Sequence, residues 1–169
     1  MSRRPALRAD PIDMAEAHWR AHGWGDVADG MSVLTSVMRV QQIMLATVES
    51  LLRPFGLSFS RYEVLMLLLF SRRESLPLGK VGERLQVHAA SVTNAVERLE
   101  RDGFVRRVPN PDDRRGVLAE LTPAGRRVAE EATIVLNKEV FAEVGLAPDE
   151  RAVLYRLLKQ LRHQAGDFV

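Results

Sequence analysis

The chain has 169 residues, 46% of them hydrophobic, enough to bury one substantial core in a single compact domain. It contains no cysteine, which excludes disulfides, cysteine zinc sites and thiol nucleophiles and fits a reducing, cytoplasmic compartment. The formal net charge is only +2, yet residues 53–127 carry 14 Lys and Arg against 9 Asp and Glu, so the basic excess lies mid-chain.

The basic N-terminus, MSRRPALRAD, is followed by no apolar signal-type run. The longest apolar run, Val64 to Phe70, is too short to span a bilayer, so no membrane partner is expected. Asp13 and Glu16 have the spacing of a capping pair and predict a short helix to about His22, before Gly23, Gly25 and Gly30 interrupt. From about Met31 to Arg53, Leu34, Val37, Met38, Gln41, Met44, Leu45, Val48, Leu51 and Leu52 recur at helical spacing and give a wide apolar stripe that wants more than one neighbour. Ser60 and Glu63 form a capping box that launches a buried helix to about Ser71. Thr122 and Pro148 mark two further helix starts, one running to about Val144 and the other from about Asp149 to Gln164.

Between these lies LGKVGERLQVHAASVTNAVERLERDG, Leu78 to Gly103. Leu78, Val81 and Leu85 form one apolar face and Val92, Val96 and Leu99 another. The three residues QVH between them leave room only for a tight turn, so the pattern is a helix-turn-helix. Gly82 stands where the two helices must cross closely, while Gln86 occupies a turn position where glycine is common. Two short amphipathic helices also occur in ordinary cores, and the residues after Gly103 decide between the two readings. There the pattern turns extended: FVRRV and GVLAEL read as two strands joined by the tip VPNPDDRR. A helix-turn-helix with an appended hairpin is a winged helix. Its tip would carry Arg114 and Arg115 into a minor groove, where guanidinium groups meet negative potential.

The stretch ASVTNAVERLERDGFVRRVPNPDDRRGVLAELTPAGRRV resembles the MarR family of bacterial transcription factors, in its Asp-x-Arg wing and its LT-x-x-G exit into a long helix. The resemblance covers about Met31 to Leu161. It implies a winged-helix homodimer on pseudo-palindromic double-stranded DNA, usually a repressor and often released by a small ligand. It further implies a dimer built from the first long helix and the last two, and a pairing of Arg98 with Asp113 that holds the wing. The Trp19 helix resembles the extension of the urate-responsive and PecS-like subgroup. Of that subgroup's ligand set only the tryptophan is matched, with Glu63, Phe70 and Ala95 at the other three positions.

The expected fold is therefore mainly α with a small β-hairpin wing: a winged helix-turn-helix flanked by N- and C-terminal dimerisation helices. Residues 1–30 form an extension with a short helix, 31–56 and 122–169 a helical dimerisation region, and 57–121 the DNA-binding region. The DNA-contact candidates are Lys80, Ser91, Thr93, Asn94, Arg98, Asp113, Arg114 and Arg115. Ser91 and Thr93 suit phosphate or base-edge hydrogen bonds, and Asn94 can pair with adenine. Ser91 can equally be a helix N-cap, and Lys80 a phosphate clamp or a solvated surface lysine. Trp19 and Glu63 are candidates for a small anionic or aromatic effector, with Trp19 as core the alternative. No cofactor or metal is expected, because His18 and His22 lack a third ligand. No glycine-rich phosphate loop or catalytic triad is present, so no enzyme is expected. The other reading of a winged helix is a protein-interaction module without specific DNA.

Overall fold

The computed structural model describes residues 7–169, the side chains of Arg114 and Arg115 excepted. The chain divides into two compact units, residues 1–59 and 60–169.

In the first unit, α1 (Pro11–Ala21) is capped by Asp10, whose carboxylate accepts from the Ile12 amide at 2.8 Å. The cap thus sits three residues before the expected Asp13, because Pro11 already supplies the fixed φ of a first helical position. After a 3₁₀ turn, Gly25–Val27, α2 runs from Ala28 to Leu52. Ser32 on α2 donates to Glu16 on α1 at 3.0 Å, and Arg20 also binds Glu16, so its carboxyl is held below the usual range.

Most of the α2 stripe is uncovered: Leu34 is 64% exposed and Met38 57%, while Val48 and Leu52 are buried. Because α2 and its flanking turns form one continuous helical stretch, residues 25–55 are long and apolar enough to cross a membrane, an 18-residue window within them having a mean hydropathy of 1.2. The longest uninterrupted apolar run understates that length, since polar residues on one side of a helix break the run without breaking the stripe.

The second unit begins in α3 (Phe59–Leu69), whose Tyr62, Val64, Leu65 and Leu68 are buried. The helix starts a residue before the expected cap, so Ser60 lies within its first turn. Then come β1 (Ser75–Pro77), α4 (Leu78–Leu85), α5 (Ala89–Arg101), β2 (Val105–Asn110) and β3 (Asp113–Leu121). The three strands form an antiparallel sheet in the order β1-β3-β2. The expected hairpin is present. The edge strand β1 is not legible in the sequence, because three residues with a proline carry no alternation.

Thr122 caps α6 (Pro123–Leu136), accepting from the Gly125 amide at 3.0 Å. A π-helical segment, Asn137–Phe141, continues it, so the expected run toward Val144 ends early and with altered pitch. The last helix, α7 (Pro148–Gln164), matches its expected bounds and has no buried residue. The core of this unit gathers Leu65, Leu68, Val81, Val92, Val96, Leu99, Val105, Ala119, Ala129, Ala132 and Leu136. Each large side chain among them contributes about 1.5–3 kcal/mol by leaving water.

Candidate nucleic-acid interface

The turn between α4 and α5 comprises Gln86, Val87 and His88. Gln86 adopts a left-handed conformation, φ 54° and ψ 39°, which is why glycine suits the position. A Cβ on Gly82 would lie 3.3 Å from the Val87 carbonyl oxygen and 3.4 Å from a methyl of Val92, so the two helices approach as its smallness predicts. His88 is the N-cap of α5, its Nδ1 accepting from the Ala90 amide at 3.2 Å. Ser91 therefore sits inside the first turn and is not the cap.

With Val92, Val96 and Leu99 buried, the helical repeat fixes where the remaining side chains lie. Ser91, Asn94 and Arg98, spaced three and four apart, form one exposed flank; Thr93, Glu97 and Glu100 form the other, and Arg101 lies with the outward-facing residues between them. The structure thus joins three of the candidates and sets Thr93 among acids. Arg101 was missed in the sequence although its spacing from Asn94 marks it. Lys80 on α4 is exposed and pairs with Glu83 at 2.8 Å.

The pairing of Arg98 with Asp113 that the family resemblance implied is not formed among the described residues, where Arg98 makes no ion pair. Asp113 instead turns over the hairpin, its Oδ2 3.1 Å from where a Cβ on Gly116 would lie. The Asp112 amide donates to Asn110 Oδ1 at 3.1 Å, which shapes the tip. The link to α5 comes from Arg107 on β2: Nη2 lies 3.5 Å from Glu97, Nε lies 3.6 Å from Glu100, and the Arg107 amide donates to Glu100 at 3.2 Å. Strand alternation explains the choice. Arg107 shares the inward side with buried Val105, while Arg106 points away and pairs with Glu120. The side chains of Arg114 and Arg115, the expected minor-groove contacts, lie outside the described residues.

The effector candidates fall in different units. Trp19 is half-buried and meets the Trp24 ring edge-on with centroids 5.4 Å apart. Glu63 is half-buried with no ion-pair partner among the described residues, and burial pushes its carboxyl up. A cleft of about 530 Å³ at the wing base is lined by Glu74, Arg106, Glu120, Thr122, Arg126 and Arg127, and includes neither candidate. Most of its charges are spent on each other, Arg126 on Glu74 and Arg106 on Glu120. His22 Nδ1 lies 2.8 Å from the His18 carbonyl oxygen, and no group of three metal-ligating side chains occurs among the described residues.

A tight helix pair with an amphipathic second helix and a hairpin packed beside it defines a winged helix-turn-helix protein. The sequence profile of the MarR family matches residues 57–117. The crystal structure of Sco5413, a MarR family transcriptional regulator from Streptomyces coelicolor, superposes with a TM-score of 0.76 at 45% identity, covering 83% of this chain and 97% of that one. A mutant of Escherichia coli MarR complexed with operator DNA superposes with a TM-score of 0.73 at 26% identity, covering 80% and 96%. The multiple antibiotic resistance protein MarR of Escherichia coli is 37% identical over 79 residues, 46% of this chain and 55% of that protein. The match thus spans about half the length of that curated relative. The chain belongs to the MarR family.

Proposed function

We propose that the chain is a transcriptional regulator that binds pseudo-palindromic double-stranded DNA as a homodimer and acts as a repressor released by a small effector. The observation that carries this reading is α5, which buries Val92, Val96 and Leu99 and leaves Ser91, Asn94 and Arg98 in solvent beside a hairpin wing. In this reading Asn94 pairs with adenine, Ser91 and Thr93 bond phosphates or base edges, and Lys80 and Arg98 add phosphate contacts. Asp113 shapes the wing tip, from which Arg114 and Arg115 enter a minor groove.

The dimerisation region is 31–56 with 122–169. Support comes from uncovered apolar residues in each part: Val37, Ile43 and Met44 on α2, and Val153, Leu157 and Leu161 on α7. A second copy covers α2 better than a bilayer would, because Arg39, Gln41 and Gln42 lie midway along it and would lose their water in hydrocarbon. DNA binding places such a protein in the cytoplasm. For the effector, each candidate is read within its own unit: Glu63 is a half-buried carboxyl whose pKa burial raises, and Trp19 is an aromatic wall braced by Trp24.

Selection of genomic fragments by the purified chain, followed by anisotropy titrations across a salt series, tests the reading. Affinity should fall steeply with salt as phosphate counterions are released. A chain that selects no fragment, yet binds a protein partner with little salt dependence, would be an interaction module instead.

A further inference from the structure

We infer that Arg107 is a positioning residue for DNA binding: shared between Glu97 and Glu100, its guanidinium fixes the wing at the angle to α5 that the double helix requires. The inference rests on the DNA-binding reading and goes beyond it in assigning what sets the wing.

Three observations converge on Arg107. Its place in the strand alternation turns it inward beside Val105 and Ala119, where a long cation is an unusual occupant. Its Nε and Nη2 are shut off from water and make no hydrogen bond, while the two carboxylates stand at 3.6 and 3.5 Å. A charge-assisted bond would be nearer about 2.7–2.9 Å. Finally, Glu97 and Glu100 are acids on the helix offered to a polyanion.

The energetics favour an orienting role over a stabilising one. Buried N–H groups without acceptors cost free energy, and partly exposed ion pairs return little of it. What the arrangement does supply is direction. One cation between acids at positions i and i+3 can satisfy both only from one azimuth around α5, and β2 must follow. The Arg107 backbone amide donates to the Glu100 carboxylate and does so without the guanidinium, so the strand keeps this anchor when the Arg107 side chain changes.

The test uses the full chain, a duplex selected by the wild type from a random pool, and an unselected duplex of equal length. Arg107→Gln should weaken the selected duplex by about tenfold, leave the unselected one nearly unchanged, and keep the salt slope, because no phosphate contact is lost. In a Glu97→Gln/Glu100→Gln background, Arg107→Gln should have no further effect, since the partners are already gone. The absence of cysteine allows spin labels at Ala90→Cys on α5 and Asp112→Cys at the tip; their distance distribution should broaden in Arg107→Gln with the melting temperature held. Equal loss on both duplexes in both backgrounds, with the slope reduced by about one, would make Arg107 a phosphate contact and overturn the inference. So would unchanged affinity with an unchanged distance distribution. A wild-type chain that selects no duplex removes the DNA-binding reading itself, whereas failure of the Arg107 comparisons alone leaves that reading standing.

Discussion

The carbonyl group of Phe104 lies directly against the α-carbon of Gly125: a Cβ at Gly125 would overlap its oxygen and stand 2.8 Å from its carbon and 3.0 Å from a Leu121 methyl. Thr122 locks this contact, donating from its amide to Phe104 at 3.1 Å and from its hydroxyl to Gly103 at 2.7 Å. The LT-x-x-G motif is thus a splice between the end of the wing and the start of α6. Gly125→Ala should cost about 3 kcal/mol, as overpacking against unyielding backbone does, and chemical denaturation should register it. A wild-type midpoint would show that α6 can slide without cost.

Gln86 lies at φ 54° in the helix-turn-helix, a conformation that costs a non-glycine residue about 1 kcal/mol or more. Gln86→Gly relieves it and gives up an exposed bond from the side chain to the Glu83 carbonyl oxygen at 3.0 Å. A net gain of about 0.5 kcal/mol is expected in thermal or urea unfolding, after the greater freedom glycine has in the unfolded chain. A loss of stability would mean that the side-chain bond outweighs the strain.

Two glutamates should leave opposite marks on stability as pH changes. Burial raises the folded pKa of Glu63, so between the unfolded and folded values the unfolded chain ionises first and stability falls as pH rises. Glu63→Gln should therefore stabilise at neutral pH, with the advantage vanishing below about pH 4. Glu16 is held low, first by its bond from Arg20 and then by that from Ser32, so its contribution is present above the unfolded pKa and is lost as pH falls through the folded one. Glu16→Gln should destabilise at neutral pH and match the wild type in acid. Melting curves across the acid range distinguish the two.

On the recognition helix, Asn94→Ala should relax base preference at one operator position, at a cost of about 1–3 kcal/mol on the preferred sequence only. Arg98→Ala and Arg114→Ala should instead weaken all sequences alike and lower the salt slope by about one each. Operator competition assays across a salt series separate these behaviours. Equal losses for Asn94→Ala on every duplex would remove it from base readout.

Charge placed on the uncovered helices should dissolve the proposed dimer. Val37→Glu or Leu157→Glu should give a monomer by sedimentation that has lost operator affinity, because two half-sites about 34 Å apart are no longer bound together. A variant that stays dimeric would move the interface off that face.

Local pattern alone determined most of this protein. The helical spacing of Val92, Val96 and Leu99, the short QVH turn, the switch to alternation after Gly103 and the Thr122 cap each depend on neighbours in sequence, and each stands in the structure as expected. Small-residue logic reached as far as Gly82, because the crossing it permits lies only a turn away. Tertiary structure decided what depends on partners distant in sequence. The strand β1 has no pattern of its own and exists because β3 supplies its hydrogen-bond ladder. Which arginine lies between the wing and α5 was likewise decided by packing. Arg98, on a face turned to solvent, has no ion-pair partner among the described residues. Arg107, turned inward by the pleat, is brought to Glu97 and Glu100 only once β2 docks beside α5.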